Sequence, residues 1–338
     1  MSHSTEPLLP LPNHQETQSS DIKSTSVMLE STVKTSSKSL FWWGVVFQIM
    51  SSTFFVFAYV SVKVGTTTLG LPSSYLLFAR GIVTSLVSGG VLYYSNVDFS
   101  AVGRYSRQLC LRGVITTVIL YANYTGFQHL DLSVAAALTD TAPIFGVVFG
   151  AVFFREKFSR LQGLALVVAV MGVWLITTPT QKGQGWNIYL CFPLIAGISR
   201  ALSRVVIKFC EELHWALLVL AGGIAVAGAS LINIVAAGEY IALDGERMTS
   251  LLLTGVFGTL GNIYTVRATL LTDIGLCMPL SYVAVVLTFI ADTFYFDATI
   301  TANEIFGGVA IFIGILCLTF AKYRGMKRKR EYTDFSAQ

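Results

Sequence analysis

Charge is what this sequence has least of. Asp, Glu, Lys and Arg together make up 12% of its 338 residues, against about a quarter in soluble domains. That supply is too small to coat a water-facing globule of this length, which argues against a soluble enzyme and leaves lipid to cover most of the outside. Histidine is also scarce. His3, His14, His129 and His214 stand in the N-terminal segment or at helix ends, there is no HExxH, and the aspartates form no paired motif. No catalytic constellation assembles from them, so no enzyme is expected. The five cysteines (Cys110, Cys191, Cys210, Cys277, Cys317) show neither CxxC spacing nor a histidine cluster, so neither a zinc site nor a disulfide framework is indicated. No metal or cofactor is expected. Residues 1–20 contain no Lys or Arg, so the basic start of a signal peptide is missing.

What fills the chain instead is hydrophobicity: 54% apolar residues and a mean hydropathy of +0.65. From Leu40 onward, runs of about twenty residues alternate with short polar breaks, the length a helix needs to cross a bilayer core. The expected spans are 40–62, 73–94, 109–128, 132–154, 161–178, 187–208, 214–237, 250–271, 274–296 and 303–322. The runs are continuous rather than alternating, which excludes a membrane barrel. The fold expected is an all-α polytopic membrane protein of about ten transmembrane helices. Residues 1–39, rich in Ser, Thr, Pro and Gln, read as a disordered tail. Lys322, Arg324, Lys327, Arg328, Lys329 and Arg330 crowd behind the last run and read as a positive-inside anchor in the 323–338 tail rather than a nucleic-acid site. Arg104, Arg107, Arg155, Lys157, Arg160 and Lys208 fall on the same side, whereas the opposite side receives only Lys63, Lys182 and Arg247. Both termini are therefore expected in the cytosol, with a plasma membrane or an endomembrane (Golgi or vacuole) as the site of residence.

The chain also repeats. Sliding it so that Asp131 falls on Asp273 sets Leu109 on Leu251, Gly113 on Gly255, Thr117 on Thr259, Thr139 on Ser281 and Gly172 on Gly314 without a gap. Two units follow, 40–178 and 187–322, of five helices each. Five is odd, so the second copy must enter the bilayer upside down, a 5+5 inverted repeat. The charges agree: Arg155-Glu156-Lys157 of the first unit is matched by Asp297-Ala298-Thr299, which has no positive residue. Carriers built this way place their site between the halves near mid-membrane.

The stretch Ala136–Ile176 resembles the EamA-like branch of the drug/metabolite transporter superfamily, a solute-carrier-35-like group. Pro143, the Phe154-Arg155-Glu156 turn, Gly163 and Gly172-Val173 carry the resemblance, and Arg80, Lys63 and Lys208 fit it. The second half departs from the pattern, with Val285 in place of the helix-breaking proline and Asp297 and Glu304 near the place of the turn glutamate. The resemblance implies ten helices, cytosolic termini, a cavity lined by helices 1, 3, 4, 6, 8 and 9, and transport of a small metabolite by exchange or proton coupling.

Ionisable groups inside a bilayer are expensive and need a partner, water or a route to the surface. By these spans they are Arg80, Asp140, Arg200, Arg204, Arg267 and Asp292. Arg80 and Asp140 lie at similar depth and are expected to pair or share a network. Arg200, Arg204 and Lys208 stack on one helix face. Arg200 is too deep to snorkel and should line a wet cavity or meet an acid, and Arg204 and Arg267 either snorkel or contribute to the site. Asp292 is expected in a solvated vestibule. Four deep arginines against two deep aspartates favour an anionic or zwitterionic solute, because a guanidinium grips carboxylate or phosphate bidentately. Gln48, Asn123, Asn262, Tyr264 and Tyr282 sit mid-helix as further candidate ligand contacts, with interhelical hydrogen bonds the plainer alternative. Gly146, Gly150, Gly222 and Gly223 read as close helix contacts.

The function expected is secondary-active transport of a small anionic or zwitterionic organic metabolite by alternating access. The partners are a small-molecule solute and the lipid bilayer, with no nucleic acid and with a homodimer left open. The alternatives are a nucleotide-sugar or sugar-phosphate antiporter of the endomembrane system, since Ala201-Leu202-Ser203-Arg204 with Lys208 loosely resembles the helix-6 motif of such carriers, or a membrane assembly or signalling protein that carries nothing.

Overall fold

The computed structural model describes residues 42–97, 102–154, 160–177, 187–238, 241–242, 244–271, 278–296, 301–314, 316–317 and 320. Among them every regular element is a helix. We number these α1 (Trp42–Thr68), α2 (Ser73–Tyr94), α3 (Val102–His129), α4 (Leu132–Thr139), α5 (Ala142–Phe154), α6 (Arg160–Thr177), α7 (Cys191–Phe209), α8 (Trp215–Ala237), α9 (Gly245–Leu271), α10 (Tyr282–Tyr295) and α11 (Ala302–Gly314). The two tails, the Arg155–Glu156–Lys157 turn, Asp273 and Asp297 lie outside the described residues.

Four helices are long and apolar enough to cross a membrane on length and composition alone: α1, α2, α8 and the continuous Ile188–Phe209 segment ending in α7. Over their described residues the other expected spans are helical too, but shorter, broken or more polar. Large apolar side chains such as Leu86, Trp174, Ile232 and Phe306 are exposed around the outside, which is what a lipid-facing surface requires. This is a polytopic, all-α membrane protein.

Two spans differ from the sequence expectation in ways that matter. The third begins at Val102 rather than 109, because the polar Arg104–Arg107 segment continues the helix instead of preceding it. The fourth is broken into α4 and α5 at Asp140–Thr141. Pro143 has no N–H to donate, and its ring crowds the carbonyl four residues back, so the ladder cannot run through. The Thr141 hydroxyl bonds the Leu138 carbonyl at 2.7 Å. The Thr139 carbonyl faces Gly197 of α7, where a methyl group would approach to 2.9 Å.

Packing shows the repeat directly. Gly172 of α6 lies against the Gly307 carbonyl and Ile311 of α11, while Gly314 of α11 lies against the Ala165 carbonyl and Ala169 of α6. In the register that sets Asp131 on Asp273, 165 falls on 307 and 169 on 311. One contact is therefore made twice, the signature of a twofold operation. The same holds for Gly113 against Ala221 and Ala225, matched by Gly255 against Ala79 and Val83. It holds again for Gly81 against Ala227, matched by Gly223 against Ser85. The register thus extends to α2 and α8, beyond the three spans per unit that the sequence comparison covered. The two halves form a 5+5 inverted repeat, and their contacts run mainly between units: α2 packs on α8 and α9, α3 on α7 and α8, and α4 on α10.

Small residues make these approaches. Without a hydrophobic drive between helices in lipid, close backbone contact supplies the attraction. A methyl on Gly81 would sit 2.6 Å from the Ala227 nitrogen, so no larger residue fits there. Gly222 and Gly223 are close contacts as expected, against Thr116 and Ser85. Two apolar clusters flank the middle of the bundle. One gathers Tyr59, Leu76, Tyr124, Phe127 and Leu132, and the other Leu92, Ile207, Leu213, Leu217 and Val266.

Candidate functional site

Between those clusters lies a cavity. Helix α1 contributes Gln48, Ser52, Phe55 and Tyr59; α2 contributes Arg80 and Thr84; α3 contributes Arg112, Thr116 and Asn123. The opposite wall comes from Arg200, Ser203 and Arg204 of α7, Gly222 and Val226 of α8, Asn262 and Thr265 of α9, and Ser281 and Ala284 at the start of α10. Relative to the set implied by resemblance, α2 and α8, which are the second and seventh expected spans, also line it, because the glycine contacts draw them inward. Among the described residues the broken fourth span places none on the wall, and Asp140 acts from behind it.

Asp140, at the break between α4 and α5, is buried and holds Arg200 through a 2.6 Å ion pair. The Arg200 guanidinium also donates to the Tyr59 hydroxyl at 2.9 Å, and the Ser281 hydroxyl donates to Asp140. The expected Arg80–Asp140 pair is therefore corrected: depth along a span was matched, but direction was not. Arg80 instead donates to the Tyr124 hydroxyl at 3.1 Å and the Gly258 carbonyl at 3.3 Å, and lies over the Phe55 ring at 5.4 Å. Gly258 leaves the space for it, since a methyl there would meet its guanidinium.

Arg204 does not run to the surface. It is buried and donates to the side chains of Gln48 at 3.2 Å and Thr269 at 3.4 Å. Asn123 accepts from the Thr139 hydroxyl at 2.7 Å, which ties α3 to the broken span. Of the ten candidates from sequence, Gln48, Arg80, Asn123, Arg200, Arg204 and Asn262 line the cavity. Asp140 stands immediately behind Arg200.

The remaining three are not on the wall. Tyr264 stacks on Phe54 at 5.6 Å, on the face of α9 turned toward α1. Arg267 lies over Trp215 at 4.7 Å and Phe47 at 5.8 Å. Tyr282 is buried near Asp140, with no partner for its hydroxyl among the described residues. Helical phase separates Tyr264 and Arg267 from Asn262 and Thr265 on the same or neighbouring turns of α9.

Asp292 corrects a further expectation. It is wholly buried rather than solvated. Its carboxylate accepts from the backbone N–H groups of Leu132 at 3.2 Å and Ser133 at 2.5 Å, capping α4, and pairs with Lys63 at 3.4 Å. A carboxylate at a helix N-terminus satisfies orphan donors and meets the positive end of the dipole. Lys63, which closes the first span, is buried there beside the Phe296 ring. Glu304 has a local role too: it forms a capping box with Thr301 at the start of α11.

One functional candidate was missed. Arg112 of α3 is 3% exposed, lines the cavity and donates to the Ser203 hydroxyl. A span drawn from 109 places it within a turn of the surface; the helix from Val102 places it nearly three turns in. The continuation of α3 through Arg104 and Arg107 was the only signal available. No group of three or more potential metal ligands occurs among the described residues.

Comparison with known proteins bears on what this cavity is for. The profile of the EamA-like transporter family matches twice, over residues 42–178 and 187–320. The chain is 23% identical over 279 residues to the pseudopaline exporter CntI of Pseudomonas aeruginosa, spanning 82% of this chain and 96% of that protein. It is 22% identical over 293 residues to mouse solute carrier family 35 member G1, covering 83% of this chain and 79% of that one. An S-adenosylmethionine uptake transporter of Rickettsia felis is 22% identical over 262 residues, covering 77% and 87%. A protein of known crystal structure superposes with a TM-score of 0.61 at 15% identity, over 84% of this chain and 98% of that one.

Proposed function

The chain belongs to the EamA-like transporter family, and from that premise we propose that it is a secondary-active carrier of a small anionic or zwitterionic organic metabolite, working by alternating access. Membrane transport is what its named relatives share. They include an exporter and an uptake transporter, so neither direction nor solute passes to this chain by likeness.

The observation that carries the anionic reading is the charge of the cavity. Arg80, Arg112, Arg200 and Arg204 all line it. The Asp140 carboxylate pairs with Arg200, and Arg80 and Arg112 have no carboxylate partner among the described residues. Uncompensated charge in a low-dielectric site is costly, and a carboxylate or phosphate on the solute offsets it. The inverted halves supply the motion: units that pack on each other through small residues rock about the central site. Both termini belong in the cytosol on this reading, because the sequence assigns them to the same side of the expected spans as Arg104, Arg107 and Lys208. The pairing of Ser203 and Arg204 on the cavity wall favours phosphate esters or nucleotide sugars as a second solute class.

The test is a counterflow screen. Vesicles reconstituted with the protein are preloaded with pools of carboxylates, phosphate esters or amino acids, and uptake of labelled members is followed. Anionic or zwitterionic solutes should give trans-stimulated uptake, and Arg200→Gln should lower it about tenfold or more, the scale of one charge-assisted hydrogen bond. Flux confined to cations or neutral solutes, or none from any pool, overturns the reading.

A further inference from the structure

The uncharged polar side chains of the cavity wall are mostly committed to the protein itself. Thr84 shares a 2.7 Å hydrogen bond with Thr259, and Thr116 donates to the Arg112 carbonyl at 2.7 Å. Thr265 is bonded to the Ser51 hydroxyl at 2.6 Å, and Ser52 donates to the Gln48 carbonyl at 3.1 Å. The Oδ1 of Asn123 takes the Thr139 hydroxyl. Asn262 of α9 is different. It lines the cavity, half-buried, and its carboxamide has no hydrogen-bond partner among the described residues. The plainer role of a mid-span asparagine, a bond between helices, is not the one it plays among them.

Its position is fixed by its neighbours. At Gly261 the helix comes so close to α1 that a methyl would meet the Phe55 ring at 2.8 Å, and the Gly261 carbonyl accepts from Ser51 at 2.8 Å. Gly258, one turn before Asn262, receives Arg80, and Thr265, one turn after, lines the cavity, so the three share the inward face. In the register that sets Asp131 on Asp273, Asn262 falls on Leu120, which is buried and lines the same cavity from α3. The fold thus accepts an apolar side chain at the equivalent place, and the amide is an addition of the second half. A bare amide inside a protein is costly unless water or a solute meets it.

We infer that Asn262 is a specificity-determining residue that reads an uncharged donor–acceptor group on the solute, a carboxamide or a hydroxyl, and that the solute carries no ammonium there. The inference deepens the transport reading and rests on it. A carboxamide offers a carbonyl acceptor and N–H donors side by side, and a group with both functions complements it. An ammonium offers donors alone and calls for a carboxylate. Among the described residues the wall carries none, and Asp140 behind it is held by Arg200. The solute is therefore an anion with a neutral polar end rather than a zwitterion.

The experiment measures thermal unfolding of the purified, detergent-solubilised full chain at constant ionic strength and about pH 7, where carboxylate and ammonium are both charged. The probes are succinamate, 4-hydroxybutyrate, 4-aminobutyrate and butyrate, which share an anionic end and differ at the other. Succinamate or 4-hydroxybutyrate should raise the melting temperature at a concentration about three- to tenfold below that of butyrate, the scale of one neutral hydrogen bond. Which of the two does so identifies the group, and 4-aminobutyrate should do no better than butyrate. In Asn262→Leu the unliganded melting temperature should stay near the wild-type value, as Leu120 leads one to expect, and the advantage over butyrate should vanish. Asn262→Asp, which offers acceptors and a negative charge, should move the preference to 4-aminobutyrate. A wild type that favours 4-aminobutyrate, an advantage retained in Asn262→Leu, or four probes that act equally or not at all overturns the assignment. So does a collapse of unliganded stability in Asn262→Leu, which would give the amide to the fold. If counterflow of an anionic solute survives such a result, the transport reading stands and only the role of Asn262 falls. If the wild type neither binds nor moves any anion, both fall.

Discussion

At the scale of the residue, the Asp140–Arg200 pair is the most consequential contact in the cavity, and only half of it was legible beforehand. Depth counting identified both residues as intramembrane and in need of partners. It paired Asp140 with Arg80 because position along a span carries no information about direction around the helix. The break at Pro143 turns Asp140 toward α7, and Gly258 draws Arg80 toward α9. The pair makes a prediction of its own. Removing one member leaves a buried charge alone, at a cost of about 3–5 kcal/mol, whereas removing both leaves none. Asp140→Asn and Arg200→Gln should therefore each lower the unfolding midpoint in detergent, and the double variant should recover much of the loss. Additive losses in this double-mutant cycle would mean that the two side chains do not act as a pair.

At the scale of the element, the spans were readable because twenty-residue apolar runs have one solution in lipid, but their ends were not. α3 and α9 extend beyond their apolar stretches with polar turns, which hid Arg112. The caps were equally invisible: Asp292 caps α4 from a helix far away in sequence. A more local cap is testable by pH. The Nδ1 of His214 accepts from the Ala216 N–H at the start of α8. Burial, and then the charge of Arg267, lower the pKa of His214 from the ordinary 6.5. A lowered folded pKa favours the neutral form, so this group's contribution is present above pH 6.5 and is lost as pH falls through the folded value. Protonation also occupies the accepting nitrogen. The wild-type melting temperature should thus fall on acidification below that point, and His214→Asn, which keeps an acceptor at the cap without titrating, should flatten the profile. Superimposable pH profiles would remove His214 from the account.

At the scale of the whole molecule, the inverted repeat was the most legible feature, and the structure shows why weak identity sufficed. The glycines that coincide are places at which the halves touch: Gly113 and Gly255 pack on symmetry-related partners, as do Gly172 and Gly314. What does not repeat is the chemistry. Arg80 falls on Gly222, Arg112 on Thr254 and Asp140 on Tyr282, so a symmetric frame encloses an asymmetric set of charges. That division explains why family and fold could be read from a pattern while the site could be read only in part. Contacts shared by both halves leave two records in the sequence, and a ligand-facing residue leaves one.

The central claim is that the cavity opens to one side of the membrane at a time. A single cysteine at Asn123, in a chain whose Cys110, Cys191, Cys210, Cys277 and Cys317 are replaced, tests it with a membrane-impermeant thiol reagent applied from either face of oriented vesicles. Labelling should proceed from both faces, slow from both when the transported solute is present, and never be accompanied by leak of the reagent across the membrane. Reaction from one face alone under every solute condition, or passage of the reagent through the protein, would contradict alternating access.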